Sequence, residues 1–367
     1  MGARVTPKEL KRLLKIDLER NSFIPFLWGA PGVGKSTIVK EVGAELGLRV
    51  VILSTALEHP HVLGGMPAII WREKVYEKLP PRRLANLKDS ILFLDDFGAS
   101  DPAQQRVALN LTTYRSIGDH PLHPSVRIVF ASNRVEDASH IIRPSMAVLN
   151  RMKHYVLIPS LPDWVEWVSN TNEVDSRLLS YAYAFLASPG VGEKSFSQSP
   201  QEQDLSVVAY PTPRSWFNLL VDLTHLLRAG ALTLPISTDE ERKLVEELTA
   251  AWVGEKIAQD FVKTLSLHLK DIERILQSPE SIKDIPHHLQ VLHVLLALSY
   301  TEDKGKFLME VCNYIPSEVA AILASILRQS EMVDNFAKVK VGTVAMGGGR
   351  ERQNAKHKNS TGGERRR

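Results

Sequence analysis

The chain has 367 residues, of which 44% are hydrophobic and 24% charged, and this ordinary globular composition excludes collagen-like, disulfide-rich and wholly disordered classes. The single cysteine, Cys312, allows no internal disulfide, and the first twenty residues lack the apolar core of a signal peptide. No run approaches the roughly 18 apolar residues of a membrane span. We therefore expect a cytoplasmic protein with no membrane partner.

The net charge of +3 is unevenly distributed. From Lys338 onward, nine Lys and Arg residues stand against two Glu, so the preceding residues carry a net charge of −4. Without apolar periodicity, residues 331–367 are predicted to form a disordered basic tail. Contact of this tail with nucleic acid is the alternative to a merely solubilising role, but the acidic body disfavours it.

In chain order, residues 1–22 predict a short helix from Pro7 to Glu19, with leucines at helical spacing. Over residues 23–160, short apolar runs alternate with helical patterns. These runs are Phe23–Trp28, Val50–Leu53, Ile91–Leu94, Val126–Ala131 and Tyr155–Ile158. Such nearly continuous apolar runs are typical of parallel strands buried on both faces of a sheet. The pattern predicts an α/β core, and from residue 161 to about 330 helical patterns dominate.

The turn after the first apolar run carries a phosphate-binding pattern. Gly29–Ser36 fits G-x-x-x-x-G-K-[ST], with a buried strand before it and a helical pattern after it. Backbone N–H groups of such a loop and the helix N-terminus form a cradle for anions. Lys35 is expected to neutralise the β and γ phosphates of ATP, and the Ser36 hydroxyl to coordinate Mg²⁺. The predicted nucleotide-binding residues are Gly29, Pro31, Gly32, Val33, Gly34, Lys35, Ser36 and Thr37.

A second apolar run ends in two carboxylates, Asp95 and Asp96. In an open α/β sheet, ligands bind beyond the carboxyl ends of the strands, so Asp95 is predicted to reach the Mg²⁺ held by Ser36. Asp96 is predicted to face the attacking water. The alternative, a solvated turn after a strand, is disfavoured by the phosphate loop sixty residues upstream.

With these two motifs, the chain resembles AAA+ ATPases and is most similar to the MoxR family. Leu63–Tyr76 resembles the hairpin inserted in the second helix of that family. Asn133 ends a run resembling the sensor 1 strand, and Arg151 falls in an element that resembles the arginine finger supplied to a neighbouring subunit. Arg214 opens a segment that resembles sensor 2.

The resemblance implies a P-loop NTPase core at residues 23–160, a helical lid at 161–270 and a helical extension at 271–330. It also implies a hexameric ring with MgATP at subunit boundaries. There Asp96 and Asn133 position water, Arg151 acts in trans, and Arg214 couples nucleotide to lid. The implied function is chaperone-like remodelling of a protein client with a von Willebrand A domain partner.

The sequence departs from the family at Asp96, where Glu is usual, and at Asn150, where Asp is usual. The shorter Asp side chain predicts slower hydrolysis unless the loop lies closer to the water. Arg143 is the second candidate for the subunit-bridging arginine. Two further functions stay open: a nucleic-acid motor with Arg72 and Lys74 lining a pore, and a nucleotide-gated scaffold that hydrolyses ATP slowly.

Overall fold

The computed structural model describes residues 2–137, 141–188, 195–198, 208–266, 272–300 and 303–327. The predicted basic tail, 331–367, and most of the polar loop between 187 and 212 lie outside the described residues. The strands are β1 Ala3–Val5, β2 Ile24–Trp28, β3 Arg49–Ser54, β4 Met66–Ile70, β5 Val75–Leu79, β6 Ser90–Asp95, β7 Ser116–Ile117, β8 His120–Pro121, β9 Arg127–Ser132 and β10 Met152–Leu157. Six of them form one parallel sheet in the order β1-β10-β2-β9-β6-β3, which confirms the predicted core.

The described helices follow the predicted pattern, and most of them come after the last strand of the sheet. They are α1 Pro7–Arg20, α2 Lys35–Glu45, α3 His61–Gly64, α4 Arg82–Ala85, α5 Pro102–Tyr114, α6 Met146–Leu149, α7 Leu161–Thr171, α8 Ser176–Leu186, α9 Pro213–Arg228, α10 Asp239–Val253, α11 Glu255–Leu265, α12 Ile272–Gln277, α13 His287–Tyr300, α14 Lys304–Cys312 and α15 Ser317–Leu327. The C-terminal region is therefore helical, as expected. No helix among the described residues is long and apolar enough to cross a membrane.

Both faces of the sheet are buried because side chains alternate along each strand. On β2, Phe26 packs edge-to-face against Phe97 and stacks on Phe130. Its neighbour Leu27 joins the opposite cluster, which includes Leu14 of α1. Fully burying one such side chain stabilises the fold by about 1.5–3 kcal/mol. The apolar runs at β2, β6 and β9 thus correspond to strands covered on both sides, whereas the edge strand β3 is only partly buried.

The structure differs from the prediction at the N-terminus, where a strand precedes the helix. Residues Ala3–Val5 form β1, which pairs in parallel with β10 at the edge of the sheet. Val5 is buried, whereas the two preceding residues are exposed. Three residues are too few to show an alternating pattern, so this strand could not be predicted from the sequence. α1 then begins with the capping box that Thr6 and Glu9 form.

Two hairpins extend from the core. β4 and β5 pair antiparallel from Met66↔Leu79 to Ile70↔Val75, which confirms the hairpin predicted within residues 63–76. The second hairpin, β7–β8, was not predicted, since each of its strands has two residues. Lys78 N–H donates to Asp119 Oδ2 at 2.8 Å, and Asp119 N–H donates to Lys78 O at 3.2 Å. These bonds join the end of the first hairpin to the turn of the second.

The chain divides into two compact units. The first comprises residues up to 164 together with the described parts of 193–218 and 248–257, and it contains the sheet. The second comprises the described residues of 165–192, 219–247 and from 258 onward, and it is helical. Within the second unit, Phe185 and Phe261 pack edge-to-face at 5.4 Å between ring centroids.

Candidate nucleotide site

The phosphate loop lies between β2 and α2, at the carboxyl end of the sheet. Gly32 and Gly34 have φ values of +74° and +100°, which residues with a Cβ rarely adopt. Gly34 is the N-cap of α2 and no side chain caps that helix end. The first N–H groups of α2 are therefore directed to the space in front of the loop, where they can bind an anion.

The Lys35 side chain is buried and lies against this loop. Its ammonium donates to Gly29 O at 2.8 Å, to Ala30 O at 3.1 Å and to Asn133 Oδ1 at 2.8 Å. Burial lowers the pKa of Lys35 to about 8, although the nearby carboxylates Asp95 and Asp96 oppose that shift. Loss of solvation is the dominant cause, because an ammonium out of water lacks its hydration. A phosphate at the loop would supply the missing counter-charge.

Ser36 and Asp95 lie together, as the sequence predicted for a magnesium site. The Ser36 hydroxyl donates to Asp95 Oδ2 at 2.5 Å. The residue after β3, Thr55, holds the main chain of Asp95 in place. Its N–H and its Oγ1 both donate to Asp95 O, each at 2.9 Å. A hydroxyl and a carboxylate at this spacing are the oxygen ligands that Mg²⁺ takes beside nucleotide phosphates.

Asp96 follows in a left-handed backbone conformation, with φ +55° and ψ +33°. Its N–H donates to Asp95 Oδ1 at 3.0 Å, and its side chain is half-buried. Asp tolerates this backbone region several-fold better than most residues do. The turn therefore holds Asp96 beside Asp95 at the end of β6, where its charge acts on Lys35.

Asn133 follows β9 and accepts the hydrogen bond from Lys35. The next residue, Arg134, makes two hydrogen bonds to Asp137, of 2.6 Å and 2.7 Å. Side-chain exposure of Asp137 is 6%, and its negative charge raises the pKa of Lys35. Two parallel bonds between a guanidinium and a carboxylate are geometrically specific, so this short segment is well fixed.

Arg214 lies close to the phosphate loop, although 180 residues separate them in the chain. A Cβ built on Gly32 would lie 2.7 Å from Thr212 Oγ1 and 3.4 Å from Arg214 Cβ. Thr212 and Ser215 hydrogen-bond each other at the start of α9, and Trp164 Nε1 donates to Pro213 O at 3.0 Å. The positive charge of Arg214, on an exposed side chain, lowers the pKa of Lys35.

Arg151 and Arg143 are not part of this cluster. Arg151 precedes β10, whose first residue Met152 pairs with Ile24 at the start of β2. About six extended residues, or roughly 20 Å, separate that end of the sheet from the phosphate loop. Both arginines are exposed, and Arg151 Nη1 donates to Ala147 O at 2.5 Å.

Sequence reasoning missed three residues that build this site: Thr55, Asp137 and Thr212. Thr55 had a usable signal, because it is a polar residue that follows the strand beside the one ending in Asp95. Asp137 and Thr212 had none, since Asp137 acts through its charge on Lys35 and Thr212 through its proximity to Gly32, both set by tertiary structure.

The parallel sheet and the phosphate loop between β2 and α2 define a P-loop nucleoside-triphosphate-binding fold. Residues 25–160 match the family model described as ATPase family associated with various cellular activities (AAA). Within this segment the match supports an AAA ATPase domain, a type of domain that binds nucleotide.

Two solved structures are similar to the chain. A mutant RuvB of Thermotoga maritima has a TM-score of 0.40 and 13% identity, over 83% of this chain and 86% of that chain. NtrX of Brucella abortus in complex with ADP has a TM-score of 0.35 and 15% identity, over 71% of this chain and 68% of that chain. No curated protein matches the sequence.

Proposed function

We propose that this chain is a cytoplasmic MoxR-like AAA+ ATPase that hydrolyses MgATP at the subunit interfaces of a homomeric ring and remodels a protein client. The family resemblance implies that the ring is a hexamer. The observation that carries the proposal is the convergence of Lys35, Ser36, Asp95 and Asn133 at one end of the sheet. Lys35 binds the β and γ phosphates, and the loop N–H groups bind the remaining oxygens. Ser36 and Asp95 would hold Mg²⁺, which supplies charge neutralisation on the phosphates.

Asp96 and Asn133 orient the attacking water in this proposal. These two residues directly follow the adjacent strands β6 and β9. Asn133 accepts a hydrogen bond from the Lys35 ammonium, and the charge of Asp96 raises the pKa of Lys35. Asp96 accepts the proton of the water, and the Asn133 amide fixes its position. Arg214, adjacent to Gly32, contacts the same nucleotide and couples its presence to the helical lid proposed at residues 161–270. The extension proposed at 271–330 and the tail at 331–367 have no role in hydrolysis.

Arg151 is supplied to the nucleotide of a neighbouring subunit. Its separation from the phosphate loop of its own chain, about 20 Å along the sheet, excludes action in cis. Large apolar side chains next to the two candidate arginines in the chain are also exposed, with Ile142 before Arg143 at 46% and Met146 in the helix before Arg151 at 67%. Exposed apolar residues beside two arginines favour an interface with a second copy over a solvated surface.

A complementation experiment tests the arginine in trans. Lys35→Ala removes the phosphate contact and Arg151→Ala removes the arginine, so neither variant alone hydrolyses ATP. Mixed rings contain interfaces where an intact loop meets an intact arginine, and ATP turnover should return. Arg143→Ala is the matched control, and this variant should hydrolyse ATP on its own, without mixing. Full turnover by unmixed Arg151→Ala contradicts the assignment.

The β4–β5 hairpin supports a protein client. Six large apolar side chains are exposed within fourteen residues, among them Trp71 at 81% and Tyr76 at 62%. The turn carries Arg72, Glu73 and Lys74, so its charges nearly balance. A phosphate backbone is bound by an excess of basic residues, whereas an unfolded polypeptide is bound by exposed apolar surface.

Stimulation of ATP turnover distinguishes the two partners. A reduced, carboxymethylated protein that cannot fold should raise turnover, and Trp71→Ser with Tyr76→Ser should remove that effect. Arg72→Ala with Lys74→Ala is the matched double variant and should leave it unchanged. Stimulation by DNA or RNA at low salt, lost in the arginine–lysine variant, would instead establish the nucleic-acid motor.

The von Willebrand A domain partner is proposed from the family resemblance alone. Asp96→Asn is expected to keep the ring in its ATP-bound state, so capture by that variant in the presence of ATP should retain partner and client. Phosphate release measured beside nucleotide binding tests the scaffold alternative. Binding of ATP without measurable release in the wild type would favour the scaffold.

A further inference from the structure

His154 connects two segments of the first unit that have different roles. It lies on β10 opposite Phe26 of β2, and its ring packs on Phe26 at 5.6 Å between centroids. Trp28 Nε1 donates to His154 Nδ1 at 3.1 Å. His154 Nε2 lies 2.8 Å from Leu149 O.

The two partners determine the protonation of the imidazole. An indole N–H only donates, so His154 Nδ1 must accept and carries no proton. A carbonyl oxygen only accepts, so His154 Nε2 must donate to Leu149 O. One neutral tautomer satisfies both bonds at once, and the ring is thereby fixed between the Trp28 indole and the Leu149 carbonyl.

Each partner adjoins a functional segment. Trp28 directly precedes Gly29, whose carbonyl accepts a hydrogen bond from Lys35. Leu149 ends α6, and Arg151 follows two residues later with its guanidinium on Ala147 O of the same helix. Through His154, the strand that leads into the phosphate loop is thus hydrogen-bonded to the turn that carries Arg151.

We propose that His154 is a positioning residue that orients Arg151 for the neighbouring subunit; this rests on the proposed role of Arg151 in trans. Displacing a catalytic group by about 1 Å can cost about a hundredfold in rate. Loss of the imidazole therefore lowers kcat and leaves the KM for ATP nearly unchanged, because His154 contacts no nucleotide-binding side chain directly.

The mixed rings of Lys35→Ala and Arg151→Ala subunits test this, because each subunit then has one task. The Lys35→Ala subunit donates the arginine, and the Arg151→Ala subunit binds ATP. His154→Phe in the donating subunit should lower the restored turnover about tenfold to a hundredfold. The same substitution in the ATP-binding subunit should change it less than about twofold.

Tyr155→Phe is the matched control, because it removes a hydrogen bond to buried Asp17 from the same strand without touching α6. It should affect turnover equally from either subunit. His154→Gln, which retains a donor and an acceptor on one side chain, should give a smaller loss from the donating subunit. This milder variant provides the readout if His154→Phe does not fold.

The outcomes separate the inference from the function on which it rests. If the reference mixture shows no turnover, Arg151 does not act in trans and the role of His154 is overturned with it. If the reference mixture is active but His154→Phe and His154→Gln act equally from both subunits, or from the ATP-binding subunit alone, the positioning role is wrong and the arginine assignment stands.

Discussion

The lowered pKa of Lys35 predicts that nucleotide affinity depends on pH in the alkaline range. With a pKa of about 8, roughly one tenth of the Lys35 side chains are neutral at about pH 7 and roughly nine tenths at about pH 9. Bound phosphates are expected to return the pKa to well above this range, since they replace the lost hydration with negative charge. The folded, nucleotide-free protein must then take up a proton to bind nucleotide.

The magnitude follows from this linkage. Between about pH 7 and about pH 9, the affinity for MgADP should fall about tenfold, or about 1.4 kcal/mol, with an uptake of about 0.9 proton at the upper pH. Isothermal titration calorimetry in buffers of different ionisation enthalpy measures both quantities. MgADP is preferred to MgATP because it is not hydrolysed during the titration.

Lys35→Arg is the control, because a guanidinium remains charged throughout this range. The variant binds more weakly, but its affinity should change little with pH, and any titration of the nucleotide itself appears in it equally. If wild-type affinity is constant from about pH 7 to about pH 9, or falls equally in Lys35→Arg, the site does not depress the pKa of Lys35.

Four further variants test other parts of the structure. Asp96→Asn should retain nucleotide binding and lose phosphate release. Asp96→Glu should raise phosphate release if the length of the side chain limits hydrolysis. Equal phosphate release by the wild type and both variants would contradict both statements. Gly98→Ala should lower the free energy of unfolding in urea by about 1–3 kcal/mol, because the new methyl would lie 2.3 Å from Ser132 Oγ. Arg214→Ala should weaken nucleotide binding. It should also move the fall in MgADP affinity to higher pH, because loss of the positive charge beside Lys35 raises the pKa of Lys35. If calorimetry shows the fall at the same pH as in the wild type, Arg214 lies outside the site.

The strands and the phosphate loop were predictable because their determinants are local. A strand covered on both faces needs consecutive apolar residues, as in Ile91–Leu94, and a loop that encloses phosphate needs glycines at positive φ, as at Gly32 and Gly34. Both requirements appear directly in the sequence. The first strand of the sheet, Ala3–Val5, did not appear, because its stability comes from pairing with β10 rather than from its own three residues.

The rest of the site depends on contacts between distant segments. Lys35 and Asn133 are 98 residues apart, and no local pattern specifies their 2.8 Å hydrogen bond. The same holds for Thr212 against Gly32 and for His154 between Trp28 and Leu149. A motif can nominate one residue of such a pair, but only the three-dimensional structure identifies the residue that fixes it in place.

Asp96 shows how backbone geometry explains a departure that side-chain chemistry left open. In the family that the sequence resembles, Glu is usual at this position, and the shorter acid predicts reduced reach. The left-handed φ of +55° gives a physical reason for Asp, since its short polar side chain is tolerated there while longer side chains cost about 1–2 kcal/mol. The turn that tolerates Asp also holds its carboxylate close enough to Lys35 to raise the pKa of that side chain. The length of the side chain and the backbone conformation therefore cannot be separated at this position. A Glu here would extend the carboxylate but would also strain the left-handed backbone.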